Sequence, residues 1–252
     1  MSERDILKDL QKRRAKMDAQ FQNWRPHFEE LREWIKPTLG RFELSERRDQ
    51  STINKKVIDS TAQRGLRTLT SGLMAGMTSP SRNWFKIKAP TTDMDDIPAV
   101  QEWTHVVETR MYEVLRRSNM YRLLHTSYQD LGLYGTLAGM IDSDFEDVVH
   151  GHSFPMGRYA IAVGEKGRIE HLHRDIQMTV GTMVRRFGLD RVSESVRNMF
   201  NNNQVHQPVT VCHAVDRRYG RDPMSPLGVN KPYASVYYEK QRETVLEVSG
   251  YG

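Results

Sequence analysis

Two pairs of histidines, His150 with His152 and His171 with His173, stand two residues apart. If each pair lies on a strand, that spacing turns both rings to one face, as two imidazole ligands of a single metal ion require. Asp142, Asp144, Glu146 and Asp147 are close in sequence and could add carboxylate oxygens. No His-Glu-x-x-His helix, cysteine pair or complete calcium loop accompanies them. The expectation is therefore solvent-facing strand histidines and no bound metal. Nucleophilic chemistry has no better footing. The chain lacks a Gly-x-Ser-x-Gly turn and a Walker-type lysine, and Ser71-Gly72 falls inside a helical pattern. The carboxylate pairs Asp95–Asp96 and Glu29–Glu30 stand in polar, solvated stretches that do not raise a pKa toward neutrality. No catalytic group and no cofactor site is expected, which favours a structural or interaction role.

Helices come first in the chain and strands second. Leu7, Leu10, Met17, Phe21, Trp24, Phe28, Leu31 and Ile35 recur at helical spacing over residues 3–36, with Arg14 breaking the seam. Pro26 predicts a kink near residues 22–26, and Pro37 ends the element. The aromatic part of this stripe (Phe21, Trp24, Phe28, Leu31) needs a surface to cover it, either its own domain or another subunit. A second helix is expected over residues 54–78, with Ile58, Ala62, Leu66, Leu69, Leu73 and Met77 on one face. Gly72 and Gly76, one turn apart, would let another backbone approach closely. Pro80 stops that helix, Trp84, Phe85 and Ile87 read as a short buried strand, and residues 89–98 read as a loop.

Further helices are expected over residues 98–117 and 119–136, the latter closed by Gly135 in a left-handed cap. Tyr159, Ile161 and Val163 alternate before a Gly164–Gly167 turn into Ile169–Ile176, which predicts a hairpin. Short helices at residues 179–187 and 193–201 precede alternating strands around Val209–Val215, Val236–Tyr238 and Leu246–Val248. A loop rich in Gly, Pro and Arg spans residues 216–233. This order argues for an α+β fold rather than a wound parallel sheet, with a helical part over residues 1–136 and a strand-rich part over 137–252.

Composition narrows the function classes. The 252 residues are 38% hydrophobic and 27% charged, with a mean hydropathy of −0.66. No stretch approaches the apolar length of a membrane span. The opening MSERDILKDLQKRRAKMD has no secretory character. A single cysteine, Cys212, excludes a disulfide framework and a cysteine-based zinc site, and points to a reducing compartment. The net charge of +5 is spread along the chain, with acidity concentrated only in residues 101–150, so there is no recognition helix or phosphate-binding stripe. Loose, sequence-blind contact with DNA stays open.

Three segments together carry a resemblance: VIDSTAQRGLRTLTSGLMAGMTSPSRNWFKI (57–87), NMYRLLHTSYQDLGLYGTLAGMID (119–142) and YAIAVGEKGRIEHLHRDIQMTVGTMVRRFG (159–188). With VTVCHAVDRR and PYASVYYE further on, they resemble the head-to-tail connecting, or portal, proteins of short-tailed double-stranded DNA bacteriophages. The resemblance implies a subunit of a ring of about twelve copies at one capsid vertex, closed by a heterologous interface. It implies contacts with the major capsid protein, the terminase large subunit, a tail adaptor and DNA passing non-specifically, and no membrane. Within the family's wing, stem, clip and crown, the match falls on the N-terminal part of the wing; stem, clip and crown are not expected within these residues. Assembly in the host cytoplasm and residence at the portal vertex follow.

In that reading Asp59, Ser60, Thr61, Gly72, Gly76, Pro80, Trp84, Phe85 and Gly135 are structural members of the signature. Arg64, Arg67, Arg82 and Lys86 are candidates to meet DNA or a neighbouring subunit. Phe21, Trp24, Phe28 and Leu31 are the candidate subunit seam. Two rival readings remain at this stage: a non-specific nucleic-acid-binding protein, and a metal-dependent hydrolase or nuclease using the histidines.

Overall fold

A computed structural model describes residues 3–36, 57, 59–222, 224–225, 227–241 and 244–251. In chain order, α1 (Glu3–Gln22) and α2 (Arg25–Ile35) are followed by α3 (Thr61–Met77), the single turn α4 (Thr92–Asp95), α5 (Pro98–Arg117) and α6 (Met120–Tyr134). Strands β1 (Gly139–Asp144), β2 (Val148–Ser153), β3 (Tyr159–Val163) and β4 (Ile169–Thr179) come next. Helices α7 (Val180–Phe187) and α8 (Glu194–Asn201) precede β5 (Pro208–Arg217), β6 (Tyr233–Glu239) and β7 (Val245–Tyr251). The fold is α+β, with its long helices first and antiparallel strands after them. Pro37, Asn54–Lys56 and Ile58 lie outside the described residues, so the end of the first helical stretch and the start of the second are not described.

The chain forms two compact units, one from the described residues up to His27 and from Gly157 onward, the other from those between Phe28 and Met156. In the first, β3–β4–β5–β6–β7 make an antiparallel meander in which every strand pairs with its sequence neighbour. The period-two alternation of β5 and β6 sends side chains to opposite faces, and both faces are covered. Leu7 and Leu10 of α1 pack on Cys212, Ala214, Val236 and Tyr238. Val180 and Met183 of α7 and Val196 of α8 pack on Val211, Tyr237 and Leu246 on the other side. The result is a helix–sheet–helix sandwich. Caps define both short helices: Thr179 and Ser193 accept backbone N–H bonds from Thr182 and Val196.

In the second unit, α3 packs along α6, and Gly132 sets how closely. A methyl group at Gly132 would sit 3.0–3.1 Å from the side chains of Leu69 and Leu66. Among the described residues, none comes within 4 Å of a methyl group placed at Gly72 or Gly76, so no described backbone makes the close approach expected there. The buried side of α3 includes Thr70, which bonds back to the Leu66 carbonyl at 2.8 Å, and runs on into Thr78 just past its end. Leu69 and Met77, expected on that side, are about half exposed. Residues 84–87 form no strand and carry no regular secondary structure. The Tyr112 hydroxyl takes the place of a strand partner, accepting from the Phe85 N–H and donating to the Phe85 carbonyl, both at 2.7 Å.

Helix α6 ends at Gly135, whose φ of +71° gives the left-handed cap expected of it. The β1–β2 hairpin that follows is fastened to the start of α6. Asn119 accepts from Gly151 N–H at 2.7 Å and donates to Gly151 C=O at 2.8 Å, so its amide acts as a third strand. A Cβ at position 151 would come within 2.4 Å of a Leu123 methyl, so any other residue there requires the Leu123 side chain to move.

Candidate functional site

The polar side chains of the first unit converge on the sheet face beneath α1. Three helical turns place Leu7, Leu10, Arg14 and Met17 on one buried stripe. Arg14 therefore belongs to the seam instead of breaking it. Its guanidinium donates to both Asp18 oxygens at 2.9 Å, to the His173 carbonyl at 3.0 Å and to Asp175 at 3.4 Å. Burial alone would lower its pKa, but Asp175 and Asp18 outweigh that and hold the proton more tightly than usual. Lys240 adds a 2.5 Å bond to the same Asp175 oxygen.

Asp216 is the second node. It accepts from His171 Nδ1 at 2.9 Å, His173 Nε2 at 3.0 Å and Arg13 at 3.2 Å. Burial would raise its carboxyl, but the bonds and charges of His173 and His171 hold it below the usual carboxylate range. The spacing of two does place both histidines on one face, yet His173 has no exposed surface and His171 is largely covered. The expectation of solvent-facing histidines is thus corrected for His171 and His173, whereas His152 on β2 is exposed. Register explains it: His173 lies between Ala160 and Ala214, in the middle of the α1-covered face. Both rings spend a nitrogen on one Asp216 oxygen, and no cluster of three or more His, Cys, Asp or Glu among the described residues is arranged to hold a metal ion. His150 and His152 sit 4.8 Å apart on β2, with His150 Nε2 at 3.2 Å from the Asn119 amide.

Between the far half of α1 and the sheet opens a cavity of about 520 Å³, lined by Arg14, Asp18, Phe21, Arg158, Asp175 and Lys240 among others. Arg14, Arg158 and Lys240 stand at its wall with Asp18 and Asp175, and Arg14 and Lys240 engage those two carboxylates.

The opposite face carries a buried chain of its own. Arg174 Nε donates to His213 Nδ1 at 3.0 Å, which makes that nitrogen an acceptor. The proton then sits on Nε2, which donates to Ser235 Oγ at 2.9 Å. The imidazole stacks flat on Tyr237, 4.0 Å between centroids, and Arg186 covers the other ring at 4.6 Å. Burial, then the nearby charges of Arg174 and Arg186, push the His213 pKa down to about 3. Arg174, His213 and Asp216 were not singled out in the sequence. The signal available was the parity of β5, which puts Asp216 on the same face as Cys212 and Ala214.

The signature residues of the second unit are held by local bonds. Asp59 accepts from the Thr61 N–H at 2.8 Å, ahead of the Ser60 cap of α3. Thr78, two residues before Pro80, meets the Tyr128 hydroxyl at 3.0 Å. Trp84 stands edge-on to Phe85, and Phe85 stacks on Tyr112 at 4.3 Å. Arg82 donates to the Ala75 and Gly76 carbonyls at 2.7 and 3.2 Å, closing the C-terminal turn of α3. Arg64, Arg67 and Lys86 are exposed. Of the aromatic stripe, Phe21 borders the cavity, Phe28 stands edge-on to Tyr134 at 5.6 Å, Leu31 is half-buried and Trp24 is 61% exposed.

Comparison with known proteins agrees with the resemblance. Residues 7–252 match the profile of the family described as bacteriophage head to tail connecting protein. The chain is 37% identical over 253 residues to the probable portal protein of Bordetella phage BPP-1, covering 100% of this chain and 46% of that protein. It is 38% identical over 245 residues to the portal protein of Salmonella phage epsilon15, covering 95% of this chain and 44% of that one. The chain thus spans a little under half the length of these relatives.

Proposed function

The chain belongs to the bacteriophage head to tail connecting protein family, and from that premise we propose that it acts as the wing portion of a portal subunit. The ordered match over residues 7–252, with two relatives named as portal proteins, is the observation that carries this reading. In it, about twelve copies close into a ring at the capsid vertex through a heterologous interface. The ring serves as the passage for DNA during packaging and ejection, docks terminase and receives the tail adaptor, while the chain itself performs no catalysis. The site geometry is consistent with this division of labour. The histidines, carboxylates and guanidiniums are tied to one another within the sheet sandwich and hold α1 in place, which is what a rigid structural part requires. The helical part over residues 1–136 and the strand-rich part over 137–252 would both belong to the wing.

Trp24 is the member of the aromatic stripe best placed to meet a neighbour, since most of its ring is exposed. Arg64, Arg67 and Lys86 are offered as contacts to DNA or an adjacent subunit. Mass photometry and negative-stain imaging of the full reading frame test the proposal. Closed rings are expected, and Trp24→Asp should reduce their yield while leaving the circular dichroism spectrum unchanged. A protein that remains monomeric, never enters capsids and binds DNA in a steeply salt-dependent way would favour the rival nucleic-acid-binding reading.

A further inference from the structure

The β1–β2 hairpin presents an aromatic side chain in an unusual manner. Phe145, at the tip, is fully exposed. The turn that carries it is braced by hydrogen bonds: Asp144 accepts from the Glu146 and Asp147 N–H groups at 3.1 and 2.8 Å. Arg117 donates to the Glu146 carbonyl at 2.7 Å and pairs with Asp147 at 3.6 Å. Val148 closes the turn with φ of +70°, a left-handed conformation that a β-branched residue rarely takes. The Asn119 clamp and the contact at Gly151 fix the base of the hairpin. A ring held out on so ordered a support has little freedom left to lose on contact, which is the property of a binding anchor. Around it stand Asp142, Asp144, Glu146 and Asp147, so the tip is acidic as well as apolar.

The same chain carries a surface of complementary chemistry. The cavity beneath α1 is large enough for a side chain and is lined by Arg14, Arg158 and Lys240 with Phe21, a wall that carries one more positive than negative charge although Arg14 and Lys240 are bonded to Asp18 and Asp175. Cations beside an aromatic ring and cations beside carboxylates are both favourable pairings. We propose that the Phe145 tip of one copy seats in the cavity beneath α1 of the next copy. Tip and cavity are different patches, so the contact is heterologous and runs head to tail, as ring closure needs and an isologous pair does not. This inference rests on the portal reading and names one of its contacts.

Single-cysteine exchange tests it on the full reading frame. Copies carrying Phe145→Cys are mixed with copies carrying Gln241→Cys, at the cavity rim, and mildly oxidised; assembly is followed in the same samples by mass photometry. Each cysteine replaces an exposed side chain, and the native Cys212 is buried and stays out of the reaction. The expected result is a disulfide-linked pair of copies in the mixture and in neither sample alone. In a parallel arm, Phe145→Ser should raise the concentration needed for assembly by about tenfold or more. Rings that form without the mixed disulfide overturn this contact and leave the portal reading standing. The mixed disulfide in open chains that never close supports the contact and overturns the ring. A disulfide between two Phe145→Cys copies, a link to the shell protein, or monomers without any link each overturn the contact.

Discussion

His213 makes the most direct test of the buried network on the helix α7–α8 side of the sheet. Unfolded, the imidazole takes up a proton near pH 6.5; folded, it does so only at about pH 3. Between those values the unfolded chain binds more protons than the folded one, so stability falls as the pH is lowered through that window. Each pH step below 6.5 costs about 1.4 kcal/mol until the folded value is reached. At pH 5 the loss from this one group amounts to about 2 kcal/mol relative to neutral pH. The assay is the urea midpoint from pH 7 to pH 5, for the native chain and for His213→Gln. Glutamine keeps an acceptor for Arg174 and a donor for Ser235 but does not titrate. The variant should be less stable at pH 7, having lost the stack on Tyr237, and its acid slope should be shallower by about that 2 kcal/mol. Equal slopes for the two proteins would show that His213 protonates freely in the fold, and the argument from its burial and from Arg174 would fail.

Three further outcomes follow from the same geometry. Tyr112→Phe removes the hydroxyl that serves both backbone groups of Phe85, and should lower stability by about 1–3 kcal/mol, read as a shifted thermal midpoint; a change under about 0.5 kcal/mol would mean water replaces it freely. Arg14→Met keeps the stem but strips the donors from Asp175, Asp18 and the His173 carbonyl, and should cost about 3 kcal/mol, with faster hydrogen exchange along α1; unchanged exchange would show that Leu7, Leu10 and Met17 hold the helix alone. The Cys212 thiol, buried and pushed up to about 12, should ignore a thiol reagent at about pH 8 until urea unfolds the chain; rapid labelling of the native protein would contradict its burial.

Where local chemistry decides the backbone, the sequence was readable. Pro98 near the start of α5 and the break after Arg117 bracket that helix as expected, and Gly135 closes α6 through its positive φ. The Gly164–Gly167 turn sets the β3–β4 hairpin, and Pro26 sits in the first turn of α2, where the missing N–H costs nothing. The β1–β2 hairpin was not individually visible, because its strands GMIDSD and VVHGHS mix small and charged residues without apolar alternation. It is held by Asn119 and by the room left at Gly151, neither of which has a period. Residues 84–87 read as a strand from their apolar content, but a tyrosine hydroxyl supplied the partner. Likewise Arg14 looked like an interruption of an apolar seam because its partners, Asp175 and the His173 carbonyl, lie some 160 positions away in the chain.

That last case bears on why a structural subunit should bury so many charges. A helix lying on a sheet through leucines alone can slide by a turn at small cost, since apolar contacts are non-directional. Beneath α1 the sheet is apolar at one end, around Cys212, Ala214, Val236 and Tyr238, and ionic at the other, around Asp175, Asp216 and His173. Sliding α1 by one turn in one direction would carry Leu10 onto the carboxylates, and in the other would carry Arg14 onto the apolar end; either leaves charges buried without partners. The ionic half therefore fixes position where the apolar half supplies adhesion. A ring of identical copies closes only if each copy presents its two mating surfaces at one angle, so a device that forbids slippage is worth more there than the same area of extra leucine.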